Sequence, residues 1–129
     1  MRARRLLRGI GVTVGVAISL ALLVRWRASL FIYVRNDTFD VMRDVRFEMS
    51  GRAYRIGDID PGEAEYCRVL VTEETGIRLS SRERSIIPVD IYIDVHHAGS
   101  VTLWVLEDGT VSIDRSRLRI SFLAPIVRW

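Results

Sequence analysis

The sequence predicts an all-β sandwich preceded by one apolar helix. Three observations lead there: an uncharged run near the N-terminus, apolar and polar residues alternating with period two from residue 30, and turn-forming residues between the alternating runs. With 129 residues the chain is long enough for one domain and too short for two. It divides into a basic tail over 1–5, a transmembrane helix (a signal anchor) over 6–25, a short linker over 26–29 and a β domain over 30–129. The expected architecture is an immunoglobulin-like antiparallel β-sandwich of about seven or eight strands.

The helix rests on 16 uncharged residues between Arg8 and Arg25. As a helix they span about 24 Å, against a hydrocarbon core of roughly 30 Å. Leu6 and Leu7 lengthen the run, and Arg8 and Arg25 can snorkel to the headgroups. Thr13 and Ser19 are its only hydroxyl residues, too few for the polar stripe of a soluble helix. A cleaved leader is the competing reading, since a basic head and an apolar stretch suit it. Arg25-Trp26-Arg27 follows the run directly and suits cleavage badly, so the uncleaved anchor is preferred, with Trp26 at the interface. Arginines flank the run on both sides, with a slight excess before it. The expected orientation puts the N-terminus in the cytoplasm and the β domain outside the plasma membrane. Gly11 and Gly15 have the spacing of a helix dimerisation face, so a homo-oligomer stays open beside the reading of ordinary span glycines.

Strands follow in order. Leu30 to Asn36 alternates and ends at the turn Asn36-Asp37-Thr38. Asp44 to Met49 places Val45, Phe47 and Met49 on one face, and Ser50-Gly51 turns the chain into Ala53 to Ile56. Asp60-Pro61-Gly62-Glu63 is a turn with proline and glycine at favoured places. Glu65 to Thr72 follows, with Cys67, Val69 and Val71 together. Thr75 to Arg82 fits no element well. Ser85 to His97 reads as one long strand with Val89, Ile91, Ile93 and Val95 inward, and Pro88 suggests an edge or bulge. Val101 to Leu106 and Val111 to Asp114 flank Asp108-Gly109, a strong hairpin signal, and Arg117 to Phe122 closes the domain with Leu118, Ile120 and Phe122 inward.

Charge narrows the function. Net charge is +3, but residues 1–29 carry six arginines and no acid, whereas residues 30–129 carry 13 arginines and 16 acids. The folded part is mildly acidic, which argues against a nucleic-acid partner. All 19 basic residues are arginine, with no lysine, no glutamine and one asparagine, as GC-rich bacterial coding produces. The glycosylation sequon Asn36-Asp37-Thr38 then has no eukaryotic setting to act in. The single cysteine, Cys67, excludes an internal disulfide and reads as a small packing residue.

Ile32 to Asn36, then Met42 to Phe47, then Ile56-Gly57-Asp58-Ile59-Asp60-Pro61-Gly62-Glu63 resemble a motif of small immunoglobulin-like domains in bacterial envelope proteins, the FxLYD-type domains among them. The resemblance covers about 35 residues. It implies a sandwich in an envelope setting, with Asn36 and Pro61-Gly62-Glu63 as turn builders, and it carries no catalytic residue.

Candidate sites are few. Asp94, His96 and His97 have metal-ligand side chains, and on a strand Asp94 and His96 would share a face, with Asp90 further along. Zinc needs a third protein ligand, so a solvated strand end is preferred and no cofactor is expected. Asp58-Ile59-Asp60 lacks EF-hand spacing, and no nucleophile elbow, P-loop or dinucleotide-binding glycine pattern is present. The apolar C-terminus offers Pro125, Ile126, Val127 and Trp129 as a partner-docking segment, or as a tail packed over the sandwich edge. The preferred expectation is a non-enzymatic protein-binding or assembly module, held to the bilayer through residues 6–25. The alternative is a metal-dependent or hydrolytic enzyme using the Asp94/His96 region.

Overall fold

Alternation along the chain becomes two sheets that press their apolar faces together. The structure, a computed structural model, describes residues 2–27, 29–84 and 87–121, with backbone alone at 2–10, 27 and 88. Helix α1 (Arg2–Arg27) precedes nine strands: β1 (Leu30–Asp37), β2 (Met42–Met49), β3 (Arg52–Ile59), β4 (Ala64–Val69), β5 (Thr75–Ser80), β6 (Ile87–Ile93), β7 (His97–Leu106), β8 (Val111–Asp114) and β9 (Leu118–Ile120). One sheet runs β4-β1-β7-β8, with β9 also on β7; the other runs β3-β2-β5-β6. Between them Leu30, Ile32, Val34, Phe47, Leu79, Ile93, Val101 and Leu103 are fully buried. Phe47 stacks on Tyr54 with ring centroids 5.0 Å apart.

The all-β sandwich is thus as expected, with four differences. First, the sheets are not wholly antiparallel: β1 and β7 pair in parallel, Leu30 opposite Gly99 through Asp37 opposite Leu106. Second, Thr75 to Ser80 is β5, an interior strand between β2 and β6, where Ile77 and Leu79 face the core. Third, the long run 85–97 is divided. β6 stops at Ile93 because the Asp94 carboxylate accepts the His96 N–H at 2.7 Å and the Asp94 carbonyl accepts the His97 N–H at 3.2 Å, which folds the chain into a turn. Fourth, Ile120, expected inward, is 70% exposed, since β9 touches only the first residues of β7; Phe122 lies outside the described residues.

The turns behave as their residues require. Ser50 and Gly51 both take positive φ (51° and 66°), the pair a two-residue hairpin needs between Met49 and Arg52. A bulge in β2 sets Asp44 at φ 50°, where its carboxylate receives Arg46 at 2.6 Å and Arg55 at 3.0 Å. The Arg46 hydrogen bond, with Arg55 beside it, holds the Asp44 carboxyl below its ordinary 3.8. Backbone and side-chain bonds likewise lower Glu83, Asp108 and Asp114. Such groups stabilise the fold above their ordinary values, and that stabilisation is lost as pH falls through the lowered folded values. Thermal melts should therefore show a Tm that declines as pH drops below 3.8, with a shallower decline in Asp44→Asn; a Tm indifferent to acid would overturn this.

At its C-terminal end α1 is capped by Ser29, whose hydroxyl donates to the Arg25 carbonyl at 2.9 Å and whose N–H donates to the Trp26 carbonyl at 3.1 Å. Among the described residues no helix is long and apolar enough to cross a membrane. The expected span over 6–25 therefore finds no support here: α1 covers it, but the uncharged run between Arg8 and Arg25 makes about 24 Å of apolar helix against a core of roughly 30 Å. Apolar side chains nevertheless surround that stretch. Val12, Val16 and Leu23 are exposed on one side, and Val14, Ile18 and Leu22 on the opposite side.

Candidate functional site

Outward-facing residues of the five-stranded sheet form the most distinctive surface of the domain. On β1 the core takes Leu30, Ile32 and Val34, so alternation turns Phe31, Tyr33 and Arg35 outward. On one side of β1, register places Tyr66 of β4 beside Tyr33, and the two rings stack at 5.2 Å. Phe31 meets the edge of Tyr66 at 6.1 Å and, toward the helix, lies 5.3 Å from Trp26. On the other side, the parallel pairing sets Arg35 opposite Trp104, with the guanidinium 4.6 Å above the indole. An aromatic strip thus runs from the helix root up the outer face of the sheet.

Beside the strip is a groove of about 330 Å³ lined by Tyr33, Arg35, Thr102, Trp104, Asp114 and Arg117 among others. Its charges are mixed. The Arg35 Nε finds no hydrogen-bond partner among the described residues, and Asp37 stands 3.9 Å from it. The Ser116 N–H donates to Asp114 at 2.8 Å and keeps its carboxyl low, so the groove offers a fixed anion beside cations and rings. This composition of Tyr, Trp and Arg suits recognition of a protein surface.

The residues singled out in the sequence fall elsewhere. Asp94 and His96 come together, with Nδ1 of His96 3.7 Å from the Asp94 carboxylate, but in the β6–β7 turn and not along one strand face. Nδ1 of His97 accepts the Asp94 N–H at 3.0 Å, so that lone pair already serves the turn. His97 Nδ1 also lies 3.3 Å from the Asp94 carboxylate, but a nitrogen that accepts the backbone N–H cannot also donate there. Among the described residues no group of three or more His, Cys, Asp and Glu is placed to hold a metal ion. Cys67 is half-buried on β4, and burial pushes its thiol up, which keeps thiolate scarce. Gly11 and Gly15 each have open space where a side chain would be. Pro125, Ile126, Val127 and Trp129 lie outside the described residues.

The aromatic strip was missed in the sequence. Alternation over Phe31, Tyr33 and Arg35 was a readable signal of outward aromatics, whereas their neighbours Tyr66 and Trp104 depend on which strands pair. No protein-family model matches the chain, and no curated protein matches it. Among solved structures it is similar to one described as the NMR structure of the protein from Eubacterium rectale, at 8% identity and a TM-score of 0.40, covering 68% of this chain and 88% of that one. A likeness that loose carries no argument about fold detail or function.

Proposed function

We propose that this chain is a single-pass membrane protein whose immunoglobulin-like β-sandwich, on the outer side of a bacterial plasma membrane, binds a protein partner and catalyses no reaction. The observation that supports a binding role is the Arg35–Trp104 stack beside the Tyr33–Tyr66 pair on the outer sheet face. Large amphipathic rings and an arginine are the side chains that anchor protein interfaces. Support for the anchor comes from α1, because a helix that is apolar on every side needs lipid or protein around it. The resemblance to FxLYD-type envelope domains agrees with this setting, and Gly11 and Gly15 give a second chain room to approach. The alternative enzyme reading at Asp94 and His96 gains nothing from a turn in which the Asp94 carboxylate and the neighbouring His97 ring both accept backbone N–H groups.

A photocrosslinker replacing Tyr66 in the full chain should give a discrete adduct in native membranes. Trp104→Ala should lower its yield roughly tenfold or more, with far-UV circular dichroism unchanged. A probe at Arg55, on the outer face of the other sheet, should give none. Absence of an adduct, or equal adducts from both faces, would sink the binding reading. A C-terminal reporter that works only outside the cytoplasm should be active; silence there would reverse the orientation.

A further inference from the structure

The root of α1 is ringed by arginines, of which only Arg117 also lines the groove beside the aromatic strip. A groove of about 260 Å³ on one side of the root holds Arg25, Arg52 and Arg68, with no carboxylate in its lining. On the other side a groove of about 560 Å³, again with no carboxylate in its lining, holds Arg117 and Arg119 against Trp26 and Phe31 and reaches the lower edge of the Tyr33–Tyr66 pair. We propose that this collar docks the domain onto the anionic phospholipid surface into which α1 inserts. The inference rests on the membrane reading above and deepens it.

Charge distribution argues for that occupant. The opposite pole holds the acids Asp37, Asp40, Asp60, Glu63, Glu83, Glu107 and Asp108, against Arg82 and Arg84 in its connections. At the helix pole Glu48 is on β2, Glu73, Glu74 and Asp94 lie in connections between the two sheets, and Asp114 is near enough to Arg117 to feel its charge, but none of these carboxylates lines either groove. The domain therefore presents arginines toward a negative surface on the side of the five-stranded sheet and would lean that way. Trp26, 68% exposed and in ring contact with Phe31, stands between apolar helix and cationic collar, where interfacial tryptophans act. A free phosphate would satisfy the same guanidinium chemistry, but continuity with an apolar helix favours a lipid surface.

The test uses the full chain reconstituted in vesicles of phosphatidylcholine alone, or of phosphatidylcholine with phosphatidylglycerol. Arginine modification by phenylglyoxal is mapped by mass spectrometry. Arg68, Arg117 and Arg119 should react roughly fivefold more slowly in the anionic vesicles, whereas Arg55 and Arg82 should not change. Inorganic phosphate added to the neutral vesicles should leave every rate unchanged; equal protection by phosphate would overturn surface docking in favour of a small-anion site. A chain that floats with both vesicle types after a high-salt wash but shows no lipid-dependent protection defeats the collar and leaves the anchor standing. A chain that floats with neither defeats the anchor itself.

Discussion

Replacing Asn36 with leucine is expected to destabilise the domain by about 3 kcal/mol, among the largest effects of any single substitution outside the apolar core. Asn36 is fully buried at the end of β1 and uses every polar group it has. Its amide nitrogen donates to the carbonyls of Asp40 (2.7 Å) and Ile59 (2.9 Å), and its side-chain oxygen accepts from the N–H (3.0 Å) and hydroxyl (2.7 Å) of Thr38. Its own N–H donates to the Glu63 carbonyl at 3.0 Å, and its carbonyl accepts the Gly62 N–H at 2.7 Å. One side chain thus ties β1 of one sheet to β3 of the other, while its backbone holds the Pro61-Gly62 turn. Leucine leaves the Ile59 and Asp40 carbonyls and the Thr38 N–H without it, at about 1–3 kcal/mol for each group that stays dry. Asn36→Asp keeps the acceptor but turns a second oxygen toward two carbonyls. Its deficit should be large near neutral pH and shrink in acid, where the protonated carboxyl can donate again. Denaturant unfolding at both pH values checks this; a leucine variant within 1 kcal/mol of the parent would refute the account.

Gly99→Ala should cost about the same, near 3 kcal/mol, for a different reason. Gly99 has φ 97°, a conformation that L side chains rarely adopt, and a methyl group there would collide with the backbone carbonyl of Arg117. That carbonyl accepts the Ser100 N–H at 3.3 Å and so holds β9 to β7; a rigid group of this kind cannot move aside cheaply. The Gly99 N–H also donates to the Ser29 carbonyl at 2.9 Å, and Ser29 caps α1. The substitution therefore strikes where helix root, β1, β7 and β9 meet, and should loosen the Arg117 side of the collar as well. Gly76→Ala is the control: its φ is ordinary, its nearest neighbour is the Ile91 carbonyl at 3.7 Å, and its effect should stay within about 0.5 kcal/mol. Equal melting curves for both variants would refute the argument.

Local residue chemistry made much of this fold legible. Val45, Phe47 and Met49 alternate and are buried, Ser50-Gly51 and Asp108-Gly109 turn where glycine or a short polar residue tolerates positive φ, and β8 runs over Val111 to Asp114 as its alternation predicts. Where the reading failed, a competing local interaction or a distant partner decided. Asp94-Val95-His96 continues the alternation of β6 perfectly, yet the Asp94 carboxylate captures the His96 N–H and ends the strand. Thr75 to Ser80 offers only Ile77 and Leu79 as inward residues beside a glycine and an arginine, a weak pattern on its own. It is a strand because β2 and β6 supply hydrogen bonds on both sides.

By itself, then, the order of residues determined the kind of molecule: an apolar helix first, then a sandwich, because burial of alternating side chains and the φ demands of turns are short-range properties. Which strands became neighbours was left to the tertiary structure. The parallel match of β1 with β7, which lays Arg35 on Trp104, and the approach of β9 to Gly99, which gathers arginines at the helix root, join residues about 70 positions apart in the first case and about 20 in the second. Pairing over such separations depends on the fit of whole sheet faces, and no short window of sequence contains that fit.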